Sequence, residues 1–208
     1  MLTVGDRFPS FDLPAVSGWE EPAFTRVRSG DRAGRWLVIF FYPMDFTTVC
    51  PTEIYAFSRL APEFDAFDTD VVGVSIDSEF AHRAWRLQHP HLRHLHIPLA
   101  ADVRHDLVTA CGVADPERGV ALRATFVVDP GGVIRHVSVH DIATGRSVDE
   151  VLRTVGALQA PAPTPCGWRP GDELAPDVGD PAPVDGTPEA GDSGVAAGGR
   201  ATGPPPGR

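Results

Sequence analysis

The sequence predicts an α/β sandwich in which helices cover a mixed β-sheet. Apolar runs alternate with segments of helical periodicity over residues 1–160, and a hairpin pattern with an amphipathic helix closes this region. Strand–helix alternation favours parallel strands, whereas a hairpin adds an antiparallel pair, so we expect both orientations in one sheet. A chain of 208 residues with 42% hydrophobic content suffices for a single core.

The first clear strand leads directly to a cysteine. Trp36–Phe41 is a run of apolar residues typical of a strand buried on both faces, and Cys50 follows after a short loop. A helix is predicted from Pro51 onward, and Pro62 should break or kink it because proline has no N–H to donate. The apolar residues that give this segment its helical spacing are Ile54, Phe57, Ala61 and Phe64.

Two more strand–helix pairs are expected before the hairpin. Residues 71–76 predict a strand, followed by a helix that Asp77 or Ser78 opens as the N-terminal cap. Residues 96–100 and 102–111 predict a further strand and a short helix. The side chains expected to pack the first of these helices are Ala81, Ala84 and Trp85.

An antiparallel hairpin and a final helix complete the pattern. Residues 124–129 and 133–139 are strand-like and flank a Pro-Gly-Gly turn at 130–132. Ser147 and Glu150 form a capping-box pattern ahead of the last helix. The apolar residues that share one face of this helix are Val148, Val151, Leu152, Val155 and Leu158. A thioredoxin-like fold satisfies this order of elements.

The composition of the chain changes after residue 160. Residues 161–208 are rich in proline and glycine and show no strand or helix periodicity. We expect a C-terminal arm at 161–176, because this part of the proline- and glycine-rich segment also contains Cys166, Trp168 and a turn-like Arg-Pro-Gly triplet. Residues 177–208 hold too few apolar side chains to offset the entropy of ordering, which predicts a disordered tail.

Charge and cysteine usage narrow the classes of function. A formal net charge of −10 disfavours nucleic acids and anionic membranes as partners. The chain shows neither a leader-like start nor an apolar stretch long enough to cross a bilayer, so we expect a cytoplasmic protein. Three cysteines, Cys50, Cys111 and Cys166, do not make a secreted disulfide framework, which leaves redox or structural thiols.

The most informative stretch of the chain surrounds Cys50. Residues 43–53 read Pro-Met-Asp-Phe-Thr-Thr-Val-Cys-Pro-Thr-Glu and place the cysteine where a helix begins. Only a thiolate attacks, and an unperturbed thiol with a pKa of about 8.5 is a few per cent ionised at neutral pH. The unpaired N–H groups and the positive end of a helix favour the anion, and a nearby arginine would add to this effect. The stretch therefore predicts a reactive thiol.

Residues 41–53 closely resemble the active-site signature of peroxiredoxins of the alkyl hydroperoxide reductase C and thiol-specific antioxidant family, typical 2-Cys type. The resemblance covers roughly residues 1–171 and extends through residues 74–85, 122–129 and 148–153. It implies a thioredoxin-like fold and a thiol-dependent peroxidase that reduces hydrogen peroxide and organic hydroperoxides. It implies no haem, flavin, metal or other cofactor.

The resemblance also implies roles for individual residues. Cys50 matches the peroxidatic cysteine, and Pro43, Thr47 and Arg123 match the positions that complete the site. Arg123 and the Thr47 hydroxyl would hold the peroxide and stabilise the oxygen that gains negative charge. Pro43 would shield the site from water, and Glu53 matches the residue that orients arginines.

Cys166 matches the resolving cysteine of the resembling family in a shifted register. In that family this cysteine lies in a C-terminal segment of the partner subunit, which implies an intersubunit disulfide, a homodimer and often a ring of dimers. The usual pattern puts it four residues before a tryptophan, where this chain has Thr164, whereas Cys166 precedes Trp168 by two. A one-cysteine mechanism with an external thiol therefore stays open.

Several of these residues also have structural interpretations. Without the resemblance, Arg123 is equally well a strand-edge cation, and Glu53 is a solvated carboxylate in the first turn of a helix. Trp85 is expected in the core or behind the site rather than against substrate. Cys111 ends an apolar helix before a glycine, and we interpret it as a packing residue.

A histidine cluster raises the question of a metal site. Imidazole is a common zinc ligand, and four histidines lie between residues 89 and 96. The Leu-His alternation and the proline in this segment suit a surface loop that enters a strand, and no cysteine is adjacent. We therefore predict a loop without a metal.

The leading functional prediction is a peroxidase whose electrons come from a thioredoxin-like or dedicated dithiol reductase. The rival is a redox-regulated holdase chaperone or peroxide sensor, and a pure chaperone would not require Thr47 and Arg123. A thioredoxin-type oxidoreductase is disfavoured because the chain has no Cys-x-x-Cys. The chain also lacks the Gly-Gly-Leu-Gly insertion and Tyr-Phe helix of over-oxidation-sensitive relatives, which predicts resistance of Cys50 to over-oxidation.

Overall fold

A seven-stranded mixed β-sheet forms the centre of the molecule. The structure is a computed structural model that describes residues 1–32 and 34–176. In chain order its strands are β1 (Asp12–Ser17), β2 (Ala23–Arg28), β3 (Trp36–Phe41), β4 (Thr69–Ser75), β5 (Leu99–Ala101), β6 (Ala114–Asp115), β7 (Val120–Ala121), β8 (Arg123–Val128) and β9 (Ile134–His140). Its α-helices are α1 (Cys50–Arg59), α2 (Ala61–Asp65), α3 (Glu79–Gln88), α4 (Asp106–Cys111) and α5 (Val148–Leu158).

The order of strands in the sheet is β2-β1-β5-β4-β3-β8-β9. β3, β4 and β5 run parallel, and the pairs β1–β2 and β8–β9 add antiparallel strands at the two edges. The predicted mixed sheet is thereby confirmed. Because β3 lies between β4 and β8, the loop that follows it leaves from the middle of the sheet.

Apolar side chains cover both faces of β3, as predicted for a strand buried on both sides. Ile39 and Phe41 belong to a core cluster that includes side chains of α4. Val38 and Phe40 belong to a second cluster that includes side chains of α1, α3 and α5. The sheet is therefore the middle layer between α4 on one face and α1, α3 and α5 on the other.

The first predicted helix is broken where proline interrupts it. α1 ends at Arg59, α2 begins at Ala61, and Pro62 lies in the first turn of α2. Proline is tolerated there because the amides of a first helical turn have no partner within the helix. The ring of Phe57 stacks on that of Phe40, with centroids 4.1 Å apart and planes 11° apart, which fastens α1 to β3.

Serine caps open two helices at the predicted positions. The Ser78 hydroxyl accepts a hydrogen bond from the N–H of Ala81 at 3.3 Å, and the Ser147 hydroxyl accepts one from the N–H of Glu150 at 3.3 Å. The reciprocal half of the predicted capping box does not form. The Glu150 carboxylate instead accepts two hydrogen bonds from Arg153, at 2.7 and 2.8 Å, because a bidentate guanidinium is the stronger donor.

Two predicted boundaries near α4 are wrong. β5 begins at residue 99 rather than 96, and α4 begins at residue 106 rather than 102. The carboxylate of Asp102 accepts hydrogen bonds from the N–H groups of Leu107 and Val108 at 3.2 and 2.8 Å. Asp102 therefore caps this helix from outside its first turn instead of lying within it.

The hairpin β1–β2 and the short ribbon β6–β7 do not follow from the sequence pattern. Five of the six residues of β2 are exposed, and Pro14 lies within β1, so the apolar alternation that marks a half-buried strand is weak. Pairing with β5 gives β1 its place in the sheet.

Residues 161–176 lie against the domain. Trp168 is 7% exposed, and its indole N–H donates to the carbonyl of Asp172 at 3.1 Å. A Cβ placed on Gly156 of α5 would lie 3.2 Å from Cγ of Pro170, so the arm packs directly on this helix. Residues 1–176 form one compact unit, and the predicted tail at 177–208 lies outside the described residues. No helix in the described ranges is long and apolar enough to cross a membrane.

Candidate active site

Cys50 is the first residue of α1 and is fully buried. The loop at 42–49 brings the chain to it from the end of β3. No side chain caps α1, and Pro51 occupies its first turn. The amides and the positive dipole end of the helix therefore lie beside the sulfur.

Arg123, the first residue of β8, places a guanidinium against this sulfur. Its Nη1 lies 3.4 Å from the Cys50 Sγ, and its Nε donates to the carbonyl of Ile142 at 2.7 Å. A buried positive charge therefore lies within hydrogen-bond distance of the sulfur. Nη2 of Arg123 makes no hydrogen bond within residues 1–32 and 34–176, so it is a donor left free for a ligand.

Glu53 is buried between two guanidiniums. Its Oε2 accepts a hydrogen bond from Nη1 of Arg123 at 2.7 Å, and its Oε1 accepts from Nε and the backbone N–H of Arg146 at 2.8 and 2.9 Å. Burial by itself raises the pKa of the Glu53 carboxyl, but the hydrogen bonds and charge of Arg146, with the charge of Arg123, hold that pKa below its usual value. Glu53 is therefore an ionised group that holds both arginines in place.

Arg146 is the site residue that sequence reasoning missed. Its guanidinium donates to the Thr125 hydroxyl and the Ala124 carbonyl, both at 3.0 Å, and to the Phe41 carbonyl at 2.7 Å. These bonds join Glu53 of α1 to β3 and β8. Burial lowers the pKa of Arg146, and Glu53 opposes that effect. The sequence offers no direct signal, because an arginine just before a helix cap is typical of a surface loop.

Pro43 and Thr47 lie in the loop before Cys50. Pro43 is buried, and the half-buried Thr47 donates its hydroxyl proton to the carbonyl of Met44 at 3.0 Å. The hydroxyl oxygen keeps its lone pairs and can accept a hydrogen bond from a ligand. Phe46 has a φ of 57°, an uncommon conformation for a bulky residue, at the turn between these two positions.

A buried polar network, which the sequence did not predict, holds this loop from behind. The Asp45 carboxylate lies 3.0 Å from the Tyr42 hydroxyl and 2.7 Å from Nδ1 of His82. Nε2 of His82 lies 3.2 Å from the carbonyl of Ala100, which can only accept, so Nε2 carries a proton. Burial raises the pKa of Asp45, and the hydrogen bond and charge of His82 oppose that rise. The backbone N–H of Asp45 also donates to Asp77 at 2.8 Å.

Trp85 and Cys111 lie in the two core clusters. The Trp85 ring packs beside Phe46 and Tyr42, with centroid distances of 5.8 and 6.4 Å, and so supports the loop. Burial, with a smaller contribution from the charge of Asp102, raises the pKa of the Cys111 thiol to about 12. This thiol is un-ionised at neutral pH, in keeping with its interpretation as a packing residue.

Cys166 is exposed in the C-terminal arm. The structure does not bring it to Cys50: all three cysteines of this single chain are free, and Cys50 is enclosed at the start of α1. A disulfide needs Cα atoms about 4.4–6.8 Å apart, so the buried Cys50 has to become accessible before another cysteine can reach its sulfur.

The histidine cluster forms a loop between α3 and β5 and makes aromatic contacts. The ring of Trp19 stacks on that of His96 with centroids 4.1 Å apart, and Nδ1 of His94 lies 2.8 Å from the Trp19 carbonyl. The ring of His91 packs against Tyr55 with centroids 5.1 Å apart. Within the described ranges no three side chains of His, Cys, Asp or Glu converge as a metal site.

Comparison with known proteins assigns the family. A model described as the AhpC/TSA family matches residues 4–137. Alkyl hydroperoxide reductase C of Mycolicibacterium smegmatis is 48% identical over 181 residues, which cover 83% of this chain and 92% of that protein. The chain belongs to the AhpC/TSA family. Peroxiredoxin-2 of Bos taurus is 45% identical over 186 residues, which cover 85% of this chain and 92% of that protein.

Solved structures of AhpC and peroxiredoxins share the AhpC/TSA fold seen here. AhpC of Mycobacterium tuberculosis is 47% identical with a TM-score of 0.73, over 77% of this chain and 94% of that one. The reduced 2-Cys peroxiredoxin of Plasmodium vivax is 30% identical with a TM-score of 0.76, over 82% and 91%. The predicted thioredoxin-like fold and the predicted class of enzyme, a thiol-dependent peroxidase, are confirmed.

Proposed function

We propose that this AhpC/TSA protein reduces hydrogen peroxide and organic hydroperoxides with Cys50 as the nucleophile. The observation that carries the proposal is the Cys50 sulfur at the start of α1, 3.4 Å from a guanidinium nitrogen of Arg123. That nitrogen is in turn held by the buried Glu53 carboxylate at 2.7 Å. A thiol held between a helix N-terminus and an arginine is suited to nucleophilic attack.

In the proposed reaction the Cys50 thiolate attacks one oxygen of the hydroperoxide. A sulfur–oxygen bond forms as the O–O bond breaks, the sulfur is oxidised to a sulfenic acid, and the peroxide is reduced. The departing oxygen gains negative charge and leaves as water or an alcohol once protonated. The free Nη2 of Arg123 donates to the reacting oxygens, and the Thr47 hydroxyl, whose proton is held by Met44, accepts from the hydroperoxide O–H.

The remaining site residues keep these donors and the sulfur in position. Glu53 and Arg146 fix the Arg123 guanidinium against the start of α1. Pro43 is proposed to exclude water, and Trp85 supports the loop through the Phe46 ring. Low dielectric strengthens the interactions of the charged groups with the transition state.

We further propose that Cys166 of a partner subunit resolves the sulfenic acid. Its thiol would displace the sulfenic oxygen as water and leave an intersubunit disulfide, which a thioredoxin-like or dedicated dithiol reductase then reduces. The exposure of Cys166 and its place in an arm support this role. We propose that the protein is a homodimer or a ring of dimers. Because its three cysteines are free thiols, we also propose a cytoplasmic location.

Rapid mixing of the reduced protein with peroxide, followed by non-reducing electrophoresis, tests both steps. Cys50→Ser is expected to abolish rapid peroxide consumption, and Arg123→Gln to slow it by about 10²–10³-fold, the loss typical of one stabilising donor. Cys166→Ser should keep the first step and lose the crosslinked dimer. Cys111→Ala, the matched control for a non-reacting cysteine, should keep both rapid peroxide consumption and the crosslinked dimer. Rapid consumption by Cys50→Ser would refute the nucleophile, and crosslinks without Cys166 would refute the resolving role.

A further inference from the structure

Two stretches of chain with exposed residues border the buried Cys50. The first is the loop at 42–49 that leads to it, and the second is residues 142–146, between β9 and α5. The exposed positions are 44, 46 and 48 in the first stretch and 143–145 in the second. Both stretches therefore reach from the site to the surface.

The second stretch is fixed to the site at both of its ends. At one end, the carbonyl of Ile142 accepts a hydrogen bond from Nε of Arg123 at 2.7 Å. At the other end, the backbone N–H of Arg146 donates to Oε1 of Glu53 at 2.9 Å. The exposed residues between these two bonds, 143–145, are therefore held beside the groups that surround the Cys50 sulfur.

The two stretches meet at a glycine. A Cβ built on Gly145 would lie 3.6 Å from Cγ1 of Val49, and apart from its neighbours in the chain it would meet no other atom within 4 Å. Val49 directly precedes Cys50, and its carbonyl accepts from the N–H of Thr52 at 3.1 Å, which fixes it to the first turn of α1. The absence of a side chain at Gly145 therefore leaves a gap beside Val49 that is open towards solvent.

The chemistry fixes one end of any hydroperoxide that reacts here. Its oxygens have to lie against the Cys50 sulfur and the guanidinium of Arg123, so the rest of the molecule extends away from the buried side. In hydrogen peroxide that remainder is a hydrogen atom, whereas in an organic hydroperoxide it is an alkyl group, which needs space and gains from apolar contact. The Val49 side chain supplies the apolar contact, and Gly145 supplies the space.

We propose that Val49 and Gly145 form the subsite for the alkyl group of organic hydroperoxides, and that the missing side chain at Gly145 admits bulky alkyl groups. The inference rests on the proposed function, because it assumes that Cys50 reduces hydroperoxides. The two residues determine which hydroperoxide reacts and take no part in breaking the O–O bond. A larger side chain at position 145 excludes bulky organic hydroperoxides and still lets hydrogen peroxide pass.

Rapid mixing of the full-length reduced protein with hydrogen peroxide, tert-butyl hydroperoxide or cumene hydroperoxide gives a rate constant of Cys50 oxidation for each. In Gly145→Val the rate constant for cumene hydroperoxide should fall about ten- to hundredfold, the range typical of a misfit in an apolar pocket, and that for hydrogen peroxide should stay within about twofold. tert-Butyl hydroperoxide should lie between them. Gly145→Ala should cause a smaller loss than Gly145→Val, because its methyl group meets Val49 at an ordinary contact distance.

Val49→Ala provides the reciprocal test. Added to Gly145→Val, it should restore most of the rate with cumene hydroperoxide, because the two side chains occupy the same gap and their effects are coupled. A substitution that merely displaced Arg146 would slow all three peroxides, and Val49→Ala would not reverse that loss. Gly30→Val is the matched control, because a Cβ on Gly30 meets no atom within 4 Å. It should leave all three rate constants unchanged.

The outcomes separate the subsite from the proposed function. Equal losses with all three peroxides in Gly145→Val, or no loss with any of them, would overturn the subsite, as would a failure of Val49→Ala to restore the rate. A wild type that reacts with hydrogen peroxide and with neither organic hydroperoxide would also overturn it. If the wild type oxidises Cys50 rapidly with none of the three, the proposed function itself fails, and the wild-type traces alone identify that case.

Discussion

Two buried guanidiniums and one buried carboxylate lie side by side at the Cys50 sulfur. Glu53 accepts hydrogen bonds from Arg123 and Arg146, and all three side chains are almost fully enclosed. This group carries one positive charge in excess, which a thiolate at Cys50 neutralises. The charge pattern of the site is therefore complementary to the reactive form of the cysteine, and removal of the carboxylate leaves two cations unbalanced.

We predict that Glu53→Gln lowers the free energy of unfolding by about 3–5 kcal/mol, the cost of leaving a buried ion pair without one partner. Urea unfolding followed by circular dichroism measures the change. Glu63→Gln is the matched control, because Glu63 is an exposed carboxylate in α2, and a surface change of this kind should shift stability by about 0.5 kcal/mol at most. Equal effects of the two substitutions would contradict a special role for Glu53.

The difference in stability between the wild type and Glu53→Gln should depend on pH, with a defined sign. The pKa of Glu53 is held below its usual value in the fold. An acid of this kind stabilises the fold at pH values above its unfolded pKa, and that contribution disappears as the pH falls through the folded pKa. The gap in unfolding free energy between wild type and Glu53→Gln should therefore narrow as the pH is lowered through the acid range. A gap that stays constant would show that Glu53 is not the titrating group.

At the scale of the elements, the contact between α1 and the sheet depends on a missing side chain. Gly73 of β4 lies opposite Phe40 of β3, and a Cβ built on it would come within 2.8 Å of the Phe40 Cζ and 3.0 Å of the Leu99 Cδ2. The Phe40 ring cannot retreat, because it stacks on Phe57 of α1. The absence of a side chain at Gly73 therefore allows α1, which carries Cys50, to pack closely against the sheet.

We predict that Gly73→Ala destabilises the protein by about 1–3 kcal/mol through overpacking. Gly30→Ala is the matched control, because a Cβ there meets no atom within 4 Å and the backbone is not left-handed. That control should leave the stability unchanged or raise it by up to about 1 kcal/mol. Thermal unfolding of both variants measures the difference, and a neutral Gly73→Ala would show that Phe40 has room to move.

At the scale of the whole molecule, the sheet separates two core clusters, and the site lies where one of them meets the end of β3. The cluster that contains Cys50 also contains side chains of α3 and α5, the helices that hold the loop before Cys50 and the C-terminal arm. Both halves of the proposed reaction therefore depend on one packed layer. Residues 1–176 form one compact unit, which contains the described residues of both clusters and of the proposed site.

We predict that a chain ending at Pro176 unfolds within about 2 °C of the full chain, a shift that corresponds to about 0.5–1 kcal/mol at most. It should also oxidise Cys50 and form the disulfide at the full-length rates. A chain ending at Ala160 is the contrasting variant: it lacks Cys166 and should oxidise Cys50 without forming the crosslink. A lower unfolding temperature or slower chemistry after removal of residues 177–208 would assign the tail a part in the fold or the reaction.

Local signals explain which parts of the fold and the site were predictable. The strand β3, the break between α1 and α2 and the caps Ser78 and Ser147 depend on residues close in sequence, so periodicity, proline and capping side chains reveal them. The hairpin β1–β2 has no such signal, because its one buried face is short and its pairing with β5 joins residues more than 80 positions apart in the chain.

The sequence alone identified Cys50 as the candidate nucleophile, placed it at a helix start after the central strand, and carried the family signature that implies Thr47 and Arg123. Only the tertiary structure decided that Glu53 binds both Arg123 and Arg146 and that His82 supports the loop through Asp45. It also decided that Arg153 donates a hydrogen bond to the C-terminal arm. These contacts join residues far apart in the chain or depend on which face of a helix meets its neighbour. Whether a charged side chain is buried and therefore has to be paired depends on how the whole molecule packs.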